Sequence, residues 1–192
     1  MSVNLEEIKS VLKNRLKHKR YIHSLGVERT AVELAKIYGV SCEQVSIAGL
    51  LHDYAKNLSD NELRCCAKEF EISIDDVFIN QKGLLHGFVG AELIKKDFNI
   101  KDDEIINAIR YHTTGRGNMT LMEKIIYLAD YIEPNRNFEG VENIRSDAFE
   151  NIDHALISAF DHTINYVILK GELIHPLTIT ARNDILMKLK DF

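Results

Sequence analysis

The spacing of apolar residues is the feature of this sequence that most constrains its fold. They recur at intervals of three and four residues, which is typical of helices, rather than at the interval of two that is typical of strands. Only two prolines, Pro134 and Pro176, occur in 192 residues, so few positions prevent a helix from continuing. With 45% hydrophobic residues the chain can bury a sizeable core. We therefore expect an all-α helical bundle that forms a single domain over residues 1–192.

Local signals predict where several of these helices begin and end. Gly39 tolerates the left-handed conformation that closes a helix. Ser41 with Gln44, and Thr120 with Glu123, have the spacing of a capping box, in which two side chains bond reciprocally to the backbone of the first turn. The helix that begins at Ser41 is predicted to continue through the sequence LLHDYAK at residues 50–56.

The C-terminal part of the chain is predicted to contain two helices, from about Ser146 to Lys170 and from about Thr180 to Lys190. Pro176 disfavours helix at the residue before it, so the segment HPLTIT between the two helices is expected to form a turn. Thr178 or Thr180 would then cap the last helix through its side-chain hydroxyl.

Composition limits the classes of partner and the compartment. The net charge of −5 and the absence of a lysine or arginine run argue against a nucleic-acid partner. No apolar stretch approaches the roughly 20 residues that span a bilayer, so no membrane partner is expected. The N-terminus lacks the pattern of a signal peptide, and the three cysteines suggest no disulfide framework. We therefore expect a cytoplasmic protein.

Histidines and carboxylates recur on the apolar faces of the predicted helices. These residues are His23, His52 with the adjacent Asp53, His86, His112 and Asp130. A single histidine on an apolar face is more often a hydrogen-bonded core residue than a metal ligand. Six such groups on five helices are instead the ligand set of zinc, iron or manganese, and helical bundles build such sites from several helices. The sequence therefore predicts a buried metal site.

Three cations are spaced to lie beside this cluster. Arg20 is three residues before His23 and Lys56 is four residues after His52, while Arg136 follows the helix that carries Asp130. Each could be a solvated surface charge, but together they could bind phosphate groups at the mouth of the site. A metal with phosphate-binding cations suits the hydrolysis of a phosphoanhydride. In that reaction Asp53 could orient a water molecule or bridge two ions, and His86 or His112 could protonate or stabilise the leaving oxygen.

The order of the six residues resembles the HD-domain superfamily of metal-dependent phosphohydrolases. Five longer blocks resemble one branch of it, the YqeK family. They are HDYAK, LLHGFVGA, RYHTTGR, LADYIEPNR and HPLTITAR. With these blocks, the resemblance covers nearly the whole chain.

The resemblance implies a cytoplasmic, iron-containing hydrolase that cuts diadenosine tetraphosphate symmetrically into two ADP molecules. Its partner would be a small-molecule dinucleoside polyphosphate. The primary ligands of one or two iron ions, with manganese or another divalent metal as alternatives, match His23, His52, Asp53 and Asp130. His86 and His112 match positions that either hold a second metal or face the phosphates.

The resemblance also divides the chain into a metal-binding core at about residues 18–140 and C-terminal helices at residues 146–192 that complete a nucleotide pocket. It implies that the HPLTIT segment, with His175, Pro176, Thr178 and Thr180, contributes to the adenosine pocket. The turn described above explains the same residues, and both roles can hold together.

Other functions remain open from the sequence. The chain could be a non-catalytic nucleotide sensor, or an HD hydrolase acting on another nucleotide, such as a monophosphate or a guanosine polyphosphate. An intact ligand set favours catalysis. The segment FVGAELI and the predicted helix from Ser146 offer apolar surface for a homodimer, although core packing explains them equally well.

Overall fold

The computed structural model of the protein describes residues 4–81 and 83–190, and over these residues the chain forms eleven α-helices and no β-strand. The helices are α1 (Leu5–Arg15), α2 (His18–Tyr38), α3 (Cys42–Leu51), α4 (Asp60–Glu69), α5 (Asp76–Asn80), α6 (Leu85–Phe98), α7 (Asp103–Tyr111), α8 (Leu121–Ile132), α9 (Val141–Glu150), α10 (Ile152–Leu169) and α11 (Pro176–Leu189). The predicted all-α class is confirmed. Residues 1–3, 82 and 191–192 of the expected domain lie outside the described residues, and the single-domain boundary stays a prediction.

Two of the predicted helix ends are confirmed. Gly39 follows α2 with a φ of 72°, in the left-handed conformation that its missing side chain allows. Thr120 and Glu123 form the complete capping box at the start of α8. Both signals depend only on neighbouring residues, which is why the sequence predicts them.

The capping box predicted at Ser41 is only half right. The Ser41 hydroxyl accepts a hydrogen bond from the backbone N–H of Gln44, as predicted. The Gln44 side chain does not reach back. Its amide instead donates to the Asp102 carboxylate at 2.6 Å, and a charged acceptor makes the stronger hydrogen bond.

The prediction that α3 continues through LLHDYAK is wrong, because α3 ends at Leu51. The residues that follow form tight turns with bonds between residues three apart, from Tyr54 N–H to Leu51 O and from Lys56 N–H to Asp53 O. Arg15 of α1 donates to the Tyr54 carbonyl at 3.0 Å and to its hydroxyl at 3.1 Å. This long-range contact holds the turn that carries the His-Asp pair.

The single helix predicted from Ser146 to Lys170 is in fact two helices. Asn151 interrupts them with an extended backbone, and its side chain accepts hydrogen bonds from the first N–H groups of α10, those of Asp153 and His154. Asparagine commonly caps helices in this way. The break also lets α10 pack against α9 instead of extending it.

The last helix begins at Pro176, four residues before the predicted start at Thr180. Its cap is His175, whose Nδ1 accepts from the Leu177 N–H at 3.2 Å, so the prediction that Thr178 or Thr180 caps it is wrong. Proline suits the first position of a helix because its fixed φ is already helical and that position needs no N–H.

The core places the polar cluster at the centre of the bundle. The main cluster of buried apolar residues extends from Ile8 in α1 to Ile185 in α11. Helices α2, α3, α7 and α8 pack against one another inside it, and α6 packs on α7. These five helices carry, or end beside, the histidines and aspartates of the predicted metal site. Across residues 4–81 and 83–190, no helix combines the length and the apolar content needed to cross a membrane.

Gly115 tests this packing. Its φ is +65°, and a Cβ atom built there would lie 2.7 Å from Phe160 and 2.8 Å from Ala181, both fully buried. We expect Gly115→Ala to lower the free energy of unfolding by about 2 to 5 kcal/mol, from left-handed strain plus overpacking. Urea unfolding would measure the change. Gly171→Ala is the matched control, because Gly171 has a φ of +67° but no atom within 4 Å of an added Cβ. Equal losses in the two variants would contradict the role of packing.

Candidate metal centre

Four imidazoles and two carboxylates converge where the five central helices meet. They come from α2 (His23), the turn after α3 (His52 and Asp53), the first turn of α6 (His86), the residue after α7 (His112) and α8 (Asp130). The four histidines and Asp53 are buried, while the Asp130 side chain keeps 21% of its surface exposed. The structure therefore brings all six predicted residues together.

His23, His52 and Asp130 form one potential ligand group. The Nε2 atoms of His23 and His52 are 3.2 Å apart, and the His23 Nε2 lies 2.9 Å from the Asp130 Oδ1. All three ligand atoms lie within 4.8 Å of one another. A single ion could contact all three.

Asp53 lies between this group and the remaining two histidines. Its Oδ2 is 3.3 Å from the His52 Nε2, and its Oδ1 is 2.9 Å from the His86 Nε2 and 3.8 Å from the His112 Nε2. The Nε2 atoms of His86 and His112 are themselves 3.0 Å apart. The arrangement has room for one ion or two, so the number of metals stays open.

Three of the imidazoles are oriented by backbone carbonyls. The Nδ1 atoms of His52, His86 and His112 each lie 2.7 Å from the carbonyl oxygen three residues earlier in the chain, those of Gly49, Gly83 and Ile109. A carbonyl oxygen only accepts, so each Nδ1 must carry the proton. The Nε2 lone pairs are left facing the centre of the cluster.

His23 is oriented by a side chain instead. Its Nδ1 lies 3.0 Å from the Oε1 of Glu133, a buried residue just after α8. Burial by itself would raise the pKa of Glu133, but hydrogen bonds from Asn135 and His23 keep the pKa below its ordinary value. The carboxylate is therefore an acceptor, and the His23 Nε2 also presents its lone pair to the cluster.

This donor set fits a metal ion. Nitrogen lone pairs 3.0 and 3.2 Å apart repel one another, and the two aspartates add negative charge to the same buried volume. A divalent cation compensates both kinds of repulsion. Imidazole and carboxylate together suit iron, manganese or zinc, and the protonated Nδ1 atoms bonded to carbonyl or carboxylate are the usual outer contacts of metal-bound histidines.

The electrostatics keep these ligands in the required protonation states. Burial lowers the pKa of His86 to about 4 despite the neighbouring Asp53 carboxylate, so the imidazole is neutral at neutral pH. Burial opposes the ionisation of Asp130, but its contact with His23 and the nearby positive charges hold the pKa of Asp130 well below its ordinary value. The pKa of Asp53 is lowered in the same way, by the surrounding imidazoles.

The three predicted cations surround the open side of the cluster. Arg20 donates to the Asp53 Oδ2 at 2.7 Å, and Arg136 donates to the Asp130 Oδ1 at 2.5 Å. The Lys56 Nζ lies 3.4 Å from the His86 Nδ1. All three line a cleft of about 950 Å³ that also reaches His23. Their predicted contacts with substrate phosphates stay a prediction.

The four residues predicted for the adenosine pocket lie elsewhere. His175 packs against Phe78, with ring centroids 4.5 Å apart. Thr178 is buried, while Pro176 and Thr180 are exposed, and the Thr180 hydroxyl donates to the Pro176 carbonyl. In the part of the chain that the structure describes, none of these four residues lines the cleft. Their role in nucleotide binding stays a prediction.

The predicted site omits Glu133, which contacts His23 directly. A signal was present in the sequence, because Glu133 follows Asp130 by three residues and so belongs to the same helical face. The glycine that makes room for it has no such signal. A Cβ atom at Gly26 would lie 2.5 Å from the Glu133 Oε2.

Comparison with known proteins agrees with this site. The family model described as the HD domain matches residues 20–135, a segment that includes all six residues of the cluster. A curated relative named symmetrical bis(5'-nucleosyl)-tetraphosphatase, from Halalkalibacterium halodurans, is 42% identical over 94% of this chain and 96% of its own length. A protein of the same name from Bacillus subtilis is 39% identical over 94% of this chain and 97% of its own length.

A solved structure is similar over almost the whole length. The crystal structure of a predicted HD superfamily hydrolase involved in NAD metabolism, from Clostridium acetobutylicum, is 46% identical in sequence and superposes with a TM-score of 0.94. The match covers 96% of this chain and 98% of that one. The chain belongs to the HD domain family, and within it to the same branch as these bacterial relatives.

Proposed function

We propose that the protein is a metal-dependent hydrolase that cleaves diadenosine tetraphosphate symmetrically into two ADP molecules. The observation that carries the proposal is the buried cluster of imidazoles and carboxylates that opens into a cleft lined by five cations, Lys17, Lys19, Arg20, Lys56 and Arg136. The names of the two curated relatives, at 42% and 39% identity, support the same activity.

We propose His23, His52, Asp53 and Asp130 as the primary ligands and iron as the metal, with manganese as the alternative. Both metals accept imidazole and carboxylate ligands. When bound, such an ion polarises a phosphoryl group and lowers the pKa of a water molecule beside it.

The cations would position the substrate. Arg20 and Arg136 approach the cluster from different carboxylates, Asp53 and Asp130 respectively, so they can bind phosphates on both sides of the scissile bond. With phosphates bound in this way, water would attack the bond between the two central phosphates and release two ADP molecules, as the names of the two curated relatives imply.

We propose that Lys56 donates a proton or a hydrogen bond to the leaving phosphate. Its ammonium group lines the cleft beside His86. Burial lowers the pKa of Lys56, which makes its proton easier to transfer. Burial lowers the pKa of His86 to about 4, so it is neutral at neutral pH, and whether His86 and His112 hold a second metal or face the phosphates stays open.

The test of this function is the identity of the products. Purified protein would be incubated with diadenosine tetraphosphate, nucleoside monophosphates and guanosine polyphosphates, and the products would be resolved by anion-exchange chromatography. ADP as the sole product of the first substrate is expected. ATP with AMP would mean asymmetric attack and would reject the proposal. Tight binding without turnover of any substrate would favour the sensor.

We expect Lys56→Met to lower kcat/KM by roughly tenfold or more, while leaving the metal content unchanged. A charge-assisted contact with phosphate is worth about 1.5 to 3 kcal/mol, and methionine keeps much of the side-chain length without the charge. Steady-state kinetics and elemental analysis would measure the two effects. Lys68→Met, at an exposed position of α4, is the matched control. Metal loss in Lys56→Met would show that the lysine supports the ligands instead.

We infer a cytoplasmic location. All three cysteines, Cys42, Cys65 and Cys66, are free thiols, and the first two are exposed. Exposed thiols persist in a reducing compartment, which supports this inference. The homodimer stays a prediction.

A further inference from the structure

Glu133 has every side-chain oxygen occupied by a donor. Its Oε1 accepts from the His23 Nδ1 at 3.0 Å. Its Oε2 accepts from both the backbone N–H and the side-chain amide of Asn135, at 2.8 and 2.9 Å. The residue is only 2% exposed, so water does not replace these bonds readily. The carboxylate is held from two directions, and it in turn holds the imidazole.

His23 needs this side chain because of where it lies in its helix. His52 and His112 directly follow helices, where the last carbonyl groups lack helical partners and can accept from Nδ1. His23 lies inside α2, where the carbonyl groups of the preceding turn are already bonded within the helix. No backbone acceptor of the same kind is free for its Nδ1.

Gly26 makes room for the carboxylate. It lies three residues after His23 on the same face of α2, and an added Cβ atom would be 2.5 Å from the Glu133 Oε2 and 3.3 Å from its Cδ. Glycine is otherwise unfavourable inside a helix. The close approach of Glu133 gives it a reason to be there.

We propose that Glu133 is a positioning residue of the metal centre. It fixes His23 in the tautomer with the proton on Nδ1 and aims Nε2 at the point shared with His52 and Asp130. The proposal rests on the metal centre of the proposed function but not on the choice of substrate. The carboxylate also borders the cleft, but the proposed role of Glu133 is exerted through its bond to His23.

The test is Glu133→Gln, which keeps the shape of the side chain. All partners of the carboxylate are donors, and Asn135 supplies two of them while His23 supplies one, so the single oxygen of glutamine is expected to face Asn135 and His23 to lose its acceptor. We expect the affinity for Mn²⁺, titrated alone without nucleotide, to fall by roughly 10- to 100-fold. Nitrogen-15 NMR of the metal-free variant is expected to show His23 shifting from one tautomer towards a mixture. Glu139→Gln, at an exposed position in the next loop, is the control for loss of charge.

Gly26→Ala tests the same contact from the opposite side. The added methyl group displaces the carboxylate without changing its chemistry, and the same loss of Mn²⁺ affinity and the same change in the His23 spectrum are expected. If Glu133→Gln fails to fold, this variant decides the question. Wild-type affinity together with an unchanged His23 tautomer in the folded variant would overturn the proposal. The wild-type protein could fail to hydrolyse diadenosine tetraphosphate while both variants still bind Mn²⁺ more weakly than it does. That result would support the positioning role of Glu133 and reject only the proposed function.

Discussion

Asp53→Ala is expected to lower kcat/KM for diadenosine tetraphosphate by at least about a thousandfold and to remove most of the bound metal. The Asp53 carboxylate lies between the pair His23 and His52 and the pair His86 and His112. One of its oxygens faces His52 and the other faces His86. Metal stabilisation of a phosphoryl transition state is worth several kcal/mol, and each 1.4 kcal/mol changes the rate by about tenfold. Kinetics and elemental analysis of the same preparation would measure both losses.

The fold of this variant should survive, because the Ser41 cap of α3 and the contact of Arg15 with the following turn do not involve the Asp53 side chain. Circular dichroism would check this. Asp103→Ala removes an exposed carboxylate at the start of α7 and should leave activity and metal content as in the wild type. Full occupancy with full activity in Asp53→Ala would refute the site.

Removing the metal with a chelator is expected to reduce hydrolysis to the level of Asp53→Ala, and adding Fe²⁺ or Mn²⁺ is expected to restore it. The four Nε2 atoms offer nitrogen ligands, which suit these ions better than Mg²⁺, a cation that prefers oxygen. Mg²⁺ should therefore restore less activity at the same concentration. Elemental analysis would confirm removal before each assay. Undiminished turnover by protein shown to be metal-free would exclude metal catalysis.

The parts of the fold that the sequence predicts are those specified by neighbouring residues. The left-handed Gly39 and the Thr120 capping box need nothing beyond one helical turn. The failures involve distant residues. Arg15 holds the turn that follows α3, and the Gln44 amide bonds to Asp102 instead of capping the start of α3. Periodicity within a segment contains no information about such partners.

For the candidate site too, the sequence predicts what depends on neighbouring residues and misses what depends on distant ones. A buried imidazole or carboxylate needs a partner, and this requirement predicts all six residues of the cluster from the sequence. Which atoms face one another depends on how α2, α6, α7 and α8 pack, and no local pattern contains that. Glu133 is an example. The sequence shows that it lies on the same helical face as Asp130, but not that it contacts His23, which is 110 residues earlier in the chain.

The carbonyl groups behind His52, His86 and His112 have a consequence for how this site tolerates change over evolution. No substitution at Gly49, Gly83 or Ile109 can delete a main-chain oxygen, so the orientation of these three ligands is inherited with the helix ends themselves. Insertions or deletions near those ends would disturb it, because they move the carbonyl groups relative to the imidazoles. The orientation of His23 depends instead on the side chain of Glu133, so a single substitution at that position can change it. We therefore expect evolutionary changes in metal preference to begin at His23.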